Sequence, residues 1–85
     1  MKEFYYTVKD PIGIHARPAG MLAKRAKEFS SEIMIEKDGK SASATRLMSV
    51  MGLCIRCGDR IRVTVSGADE EFAARELEHF FEESL

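Results

Sequence analysis

Residues 13–19 read GIHARPA, and this stretch predicts where the first helix of the chain begins. Its glycine lets the incoming backbone turn without the steric cost of a Cβ atom. Its proline is tolerated in a first helical turn, where an amide hydrogen would have no intrahelical partner. We therefore predict that the helix begins near His15 and that the amide hydrogens of Ala16 and Arg17 point out of its end.

The same stretch brings together groups that accept and bind phosphate. The amide hydrogens and the macrodipole at a helix N-terminus attract anions. A ring nitrogen of His15 is a nucleophile that can take a phosphoryl group, and the guanidinium of Arg17 and the amide of Ala16 can then bind its oxygens. The alternative is that His15 only caps the helix and that Arg17 is solvated.

The residues that follow have the spacing of an amphipathic helix. Its predicted core positions are Ala19, Leu22, Ala23, Ala26 and Phe29. A second face, which we call the basic stripe, consists of Arg17, Gly20, Lys24 and Lys27. The stripe starts at the phosphate site, and its glycine leaves a shallow place between cations, so we predict that it docks a partner protein. An ordinary solvated face is the alternative.

Alternation of apolar and polar residues predicts three strands, at residues 3–8, 32–36 and 60–66. The Asp-Gly pair at 38–39 predicts a tight hairpin. Residues 40–44 should then return as a fourth strand, which is weak because it consists mostly of serine and alanine, and which we place at an edge of the sheet.

Two further helices are predicted. The first covers residues 46–53, with Thr45 as its N-cap, and the second follows Asp69, which we expect to cap it. The residues that the last helix should turn inward are Ala73, Leu77 and Phe80. The element order βαββαβα predicts an α+β fold, a four-stranded antiparallel sheet with three helices on one face.

The helix predicted at 46–53 holds more apolar side chains than one face of a short helix can bury. The residues in question are Leu47, Met48 and Met51. If part of this set is exposed, it forms an apolar docking patch beside Arg46. The alternative is that all three belong to the core.

Eighty-five residues with 45% hydrophobic content predict one compact domain, residues 1–85. No apolar run approaches the ~20 residues of a membrane span, and no secretory signal opens the sequence, so we expect a cytoplasmic protein without membrane insertion.

Residues 1–65 carry twelve basic and seven acidic side chains, hence +5, whereas residues 66–85 carry one and seven, hence −6. The positive charge of residues 1–65 favours an acidic partner that docks near His15. The lack of an arginine-rich run argues against nucleic acid as a partner.

Cys54 and Cys57 form an isolated CxxC pair. Two ligands are too few for a closed zinc site, and the pair does not open a thioredoxin-like helix. We expect reduced thiols, with no metal and no cofactor, and keep a redox or metal function as the alternative. His79 lies among glutamates and is predicted to be a surface residue.

The sequence resembles the histidine-containing phosphocarrier (HPr) family of the bacterial sugar phosphotransferase system. The resemblance rests on residues 13–19, on the N-terminal strand, on the turn at 38–40, and on residues 48–53 and 66–69. It implies an HPr-like open-faced β-sandwich in which His15 is phosphorylated and Arg17 binds the phosphate. It also implies that enzyme I is the donor, that enzyme IIA domains are the acceptors, and that the chain is a phosphoprotein without turnover of its own, which we expect to be a monomer.

The chain departs from the family pattern at Arg46. Many HPr proteins have a serine at the start of the second helix that a separate kinase phosphorylates, and Arg46 stands at the matching position. Ser43, Thr45 and Ser49 lie one to three places away and project at other angles. The resemblance therefore does not extend to control by that kinase.

Three functions remain to be compared. The first is a phosphocarrier that takes a phosphoryl group on His15 and passes it on. The second is a regulatory HPr-like protein whose phosphorylation at His15 signals to partner enzymes or transcription factors. The third is a redox or metal protein that acts through its two cysteines.

Overall fold

A computed structural model describes residues 1–85. The strands and helices, in chain order, are β1 (Lys2–Thr7), α1 (Ala16–Ala26), β2 (Glu32–Lys37), β3 (Lys40–Ser43), α2 (Leu47–Met51), β4 (Arg60–Ser66) and α3 (Glu70–Ser84). This order confirms the predicted βαββαβα arrangement.

The four strands form one antiparallel sheet in the order β1-β4-β2-β3. Val63 in β4 lies opposite Phe4 in β1 and Ile35 in β2, so the apolar residues of neighbouring strands share one face. The strand predicted to be weak, β3, is an edge strand and pairs only with β2.

The three helices cover the apolar face of the sheet. A single cluster of 20 buried residues includes side chains from every strand and every helix. The other face carries Tyr5, Glu36 and Arg62, which are exposed or half-buried. The sheet is therefore open on one side, as the α+β prediction requires.

One predicted core residue of α3 is wrong. Ala73 and Leu77 are buried as predicted, but the next core residue is Phe81, and Phe80 is only half-buried. Both phenylalanines lie one helical turn beyond Leu77, so helical spacing does not choose between them. Packing against β1 selects Phe81, because the centroid of its ring lies 5.4 Å from that of the Tyr6 ring.

The second helix is shorter than predicted and its predicted cap is wrong. The N-cap of α2 is Arg46, and the Thr45 hydroxyl is engaged with the Ser43 hydroxyl at 2.9 Å. After Met51 the chain makes tight turns, in which the Leu53 amide donates to the Val50 carbonyl. These turns end the helix and direct Leu53 into the core.

Asp69 occupies the predicted N-cap position of α3, but its carboxylate does not cap that helix. It instead accepts hydrogen bonds from the backbone amides of Ser30 and Ser31, each at 3.0 Å, and from the Ser31 hydroxyl. The side chain thus ties the start of α3 to the turn before β2. The Ser31 hydroxyl and then the Ser30 amide lower the pKa of Asp69 below its ordinary value of 3.8.

We predict that the hydrogen bonds of the Asp69 carboxylate stabilise the fold less in acid. A carboxyl group with a lowered pKa adds stability above its unfolded value, and that contribution is lost as the pH falls through the folded value. The free energy of unfolding in urea should therefore fall below about pH 4, and Asp69→Asn should reduce that fall as well as the stability at pH 7. An acid dependence that the substitution leaves unchanged would contradict the prediction. The exposed Asp38→Asn, which removes a carboxylate without hydrogen-bond partners, is the control.

Candidate functional site

The segment before α1, residues 8–14, is held at several points and delivers His15 to the surface. We call it the approach segment. The amides of Lys9 and Asp10 both donate to the Leu85 oxygen at 2.8 Å. The Asp10 carboxylate accepts from the Ile12 amide at 2.9 Å, and its carbonyl accepts from the Gly13 amide at 2.9 Å. The backbone that leads to His15 is therefore ordered by its own turn.

Gly13 is required by a close approach of two backbones. Its φ is +82°, and a Cβ atom at this position would lie 2.4 Å from the Ile55 oxygen and 2.7 Å from the Arg56 Cα. Such contacts are far inside van der Waals distance, and an L side chain rarely adopts this φ. The next amide, that of Ile14, donates to the Ile55 carbonyl at 3.0 Å.

His15 is the N-cap residue of α1, as the sequence predicts. Its backbone is extended, with φ −108° and ψ −171°, and its carbonyl accepts from the Ala19 amide at 2.9 Å. The half-buried ring makes no capping hydrogen bond, which argues against the alternative that His15 serves only as a cap. The amides of Ala16 and Arg17 have no backbone acceptor, so both remain available to an anion.

The ring of His15 faces an open cleft of about 410 Å³. Arg17 lines the same cleft, and it forms no ion pair with a carboxylate of the chain. The structure therefore brings together the imidazole and the guanidinium that the sequence singled out.

Two apolar side chains that line the cleft are not predicted from the sequence. Ile12 is 70% exposed and Met21 is 44% exposed. The signal for Met21 was present, because it lies one helical turn beyond Arg17 and off the apolar face of α1. Ile12 follows a proline in a loop, where no periodicity marks a residue as exposed.

The basic stripe lies on the outer surface of α1. Arg17, Lys24 and Lys27 are exposed, and a Cβ atom on Gly20 would meet nothing within 4 Å. None of these three cations, nor Arg46, forms an ion pair within the chain. These four side chains therefore carry positive charge that no ion pair of the chain neutralises.

The apolar residues of α2 divide between the two alternatives. Met48 is 75% exposed and Leu47 is 36% exposed, whereas Met51 is half-buried and packs against the core. An exposed apolar patch is thus present, and it consists mainly of Met48 and Leu47. Arg46 beside it is exposed as well.

The remaining candidates lie outside this arrangement. Cys54 and Cys57 are exposed free thiols. His79 is exposed on α3, with its Nε2 atom 3.8 Å from a Glu83 oxygen, as expected of a surface residue. No helix is both long enough and apolar enough to cross a membrane.

Comparisons with known proteins agree on one family. A family model described as the PTS HPr component phosphorylation site matches residues 2–83. The chain is 43% identical to the phosphocarrier protein HPr of Mycoplasma genitalium over 74 residues, which are 86% of this chain and 84% of that protein. It is 42% identical to the HPr-like protein Crh of Halalkalibacterium halodurans over 82 residues, 96% and 98% of the two chains. The crystal structure of HPr from Thermoanaerobacter tengcongensis is similar with a TM-score of 0.91 at 38% identity, covering 96% of this chain and 92% of that one.

Proposed function

Because the chain belongs to the HPr family of phosphotransferase-system phosphocarriers, we propose that it accepts a phosphoryl group on His15 and passes it to a second protein. The surroundings of the His15 ring support the assignment to this residue. The His15 ring makes no capping hydrogen bond, and it shares a cleft with an unpaired arginine at a helix start whose first amides are free.

Phosphoryl transfer to His15 requires a nucleophilic ring nitrogen and groups that bind the phosphoryl oxygens. A ring nitrogen of His15 attacks the phosphorus of a phosphohistidine on the donor protein, and the phosphorus–nitrogen bond to the donor breaks as the new one forms. The guanidinium of Arg17 and the amide of Ala16 bind the phosphoryl oxygens, which carry the charge during transfer. Phosphoryl transfer depends mainly on positioning and charge compensation, and the chain offers both.

The donor in this proposal is enzyme I, phosphorylated by phosphoenolpyruvate, and the acceptors are enzyme IIA domains. Both would dock on the basic stripe together with Arg46, around the exposed apolar patch of Leu47 and Met48. Unpaired cations on α1 and at Arg46, together with the exposed Met48, suit a partner that carries both acidic and apolar side chains. Docking should therefore weaken as salt concentration rises.

A regulatory role is the second candidate, because the chain is as similar to the HPr-like protein Crh as to HPr. Onward transfer distinguishes the two. The chain is incubated with enzyme I and phosphoenolpyruvate, the phosphorylated product is isolated, and an enzyme IIA domain is added. A carrier loses the phosphoryl mass to the IIA domain, whereas a purely regulatory protein retains it.

The carrier should work as a cytoplasmic monomer without turnover of its own. With phosphoenolpyruvate and enzyme I but no acceptor, each chain should gain one phosphoryl group and then stop. Light scattering at the concentration of the assay should give the mass of one chain.

We predict that Arg17→Ala slows transfer more than it weakens docking. The guanidinium matters most while charge develops on the moving phosphoryl group, and loss of such a donor costs about 10²-fold in rate. The single-turnover rate from phosphorylated enzyme I measures the effect, and the dissociation constant measures docking. Arg75→Ala, which removes another arginine without an ion pair, is the matched control. An unchanged rate in the Arg17 variant would contradict this role.

A further inference from the structure

We propose that Lys37 is a positioning residue for phosphoryl transfer at His15, acting through the loop beneath the site. The proposal rests on the function proposed above. It concerns residues 54–59, which form most of the connection between α2 and β4 and which we call the floor loop. This loop contains no helix or strand. Its shape therefore depends on its own turn, in which the Asp59 amide donates to the Arg56 carbonyl at 3.0 Å, and on contacts with other parts of the chain.

The ammonium group of Lys37 joins the two ends of the floor loop. It donates to the Cys54 carbonyl at 2.7 Å and lies 2.9 Å from the Asp59 carboxylate. The same Asp59 oxygen accepts from the Arg56 amide at 2.8 Å. Lys37 is the last residue of β2, so its backbone is fixed by the sheet. One side chain therefore anchors both ends of an irregular loop to a rigid element.

This anchor is a charged hydrogen-bond network rather than a lone surface pair. Only 16% of the Lys37 side chain is exposed. The Arg56 amide and the Lys37 ammonium lower the pKa of Asp59, so its carboxylate is ionised at neutral pH. Charge-assisted hydrogen bonds of this kind are stronger than neutral ones and hold geometry more closely.

The floor loop in turn supports the approach segment. Val8 exchanges two hydrogen bonds with it, from its own amide to the Asp59 carbonyl at 2.9 Å and from the Gly58 amide to its own carbonyl at 2.8 Å. At the other end of the segment, the Ile14 amide donates to the Ile55 carbonyl at 3.0 Å. Gly13 lies against Ile55 and Arg56 so closely that no Cβ would fit.

Ile14, whose amide donates to the Ile55 carbonyl, is adjacent to His15 in the chain. A shift of Ile55 would therefore move the backbone that sets the position of the imidazole. Transfer requires close alignment of the ring nitrogen with the incoming phosphorus, and a misplacement of about 1 Å can cost ~10²-fold in rate. Lys37 lies on a different element from the cleft, so its loss should act on alignment and leave the docking surface intact.

The test is Lys37→Met, which keeps the length and the apolar stem of the side chain and removes the ammonium. We expect the single-turnover rate from phosphorylated enzyme I to fall by about tenfold, with an unchanged dissociation constant for enzyme I. Hydrogen exchange at the Ile14 amide should accelerate by a similar factor, while the Leu77 amide in α3 keeps its protection. Lys37→Arg, which retains a cation able to bridge two oxygens, should recover part of the rate.

Two controls separate this role from general stability. Lys40→Met removes an exposed cation from the same hairpin, and Arg25→Met removes ion pairs with Glu28 and Glu76, which involve no residue of the floor loop. Both should transfer at the wild-type rate. A Lys37→Met protein with wild-type transfer, or with a protected Ile14 amide, would overturn the proposal. Failure of the wild-type chain to be phosphorylated at His15 would instead refute the proposed function.

Discussion

His15→Ala should abolish phosphoenolpyruvate-dependent phosphorylation of the chain while leaving its fold intact. The imidazole supplies the only proposed acceptor atom. The ring is half-buried and makes no capping hydrogen bond, so its removal costs the fold little. The expected effect is a complete loss of function rather than a reduced rate.

Intact mass after incubation with enzyme I and phosphoenolpyruvate measures this outcome. The wild-type chain should gain one acid-labile phosphoryl group and the variant none. His79→Ala is the matched control, because it removes the other histidine of the chain, which is exposed on α3. An acid-labile mass shift that persists in His15→Ala would refute the assignment of the site.

Met48→Asp should weaken binding to enzyme I by about thirtyfold or more, which corresponds to ~2 kcal/mol. The Met48 side chain is 75% exposed, so it gives little to the stability of the isolated chain. It is the most exposed apolar side chain of α2, and it is therefore the one best placed to enter an apolar pocket of a partner. An aspartate there would lose that burial and would also repel an acidic rim.

Isothermal titration with enzyme I measures the loss, and circular dichroism shows whether the variant is folded. Phe72→Asp is the control, since Phe72 is an exposed apolar residue on the acidic helix α3. Equal losses in both variants would mean that binding does not depend on the apolar patch of α2. Undiminished binding of Met48→Asp would place the docking surface elsewhere.

Several features of the fold could be predicted because they depend on neighbours in the chain. The start of α1 follows from a glycine, a histidine and a proline within seven residues, and the N-cap is His15, near which the sequence predicts the start. Alternation located β4 without error, and an Asp-Gly pair located the hairpin between β2 and β3. In each case the sequence signal and the structure involve the same few residues.

The errors arise where two local solutions have similar energies. Phe80 and Phe81 are equally placed on α3, and only the Tyr6 ring on a distant strand selects Phe81. Asp69 is a good helix cap by composition, yet two backbone amides at the turn before β2 bind its carboxylate instead. Thr45 is a good helix cap by composition as well, yet its hydroxyl contacts that of Ser43, two residues earlier in the chain.

The sequence by itself determined that an imidazole and a guanidinium stand at a helix start, because helix initiation is a local property of residues 13–19. It also determined the family, since the motifs that define it are contiguous. Only the tertiary structure decided that Met48 is exposed and Met51 is not, and that Ile12 and Met21 line the cleft. It alone placed the Lys37 ammonium between the two ends of the floor loop. These features depend on contacts between residues far apart in the chain, and such contacts exist only once the sheet has brought the elements together.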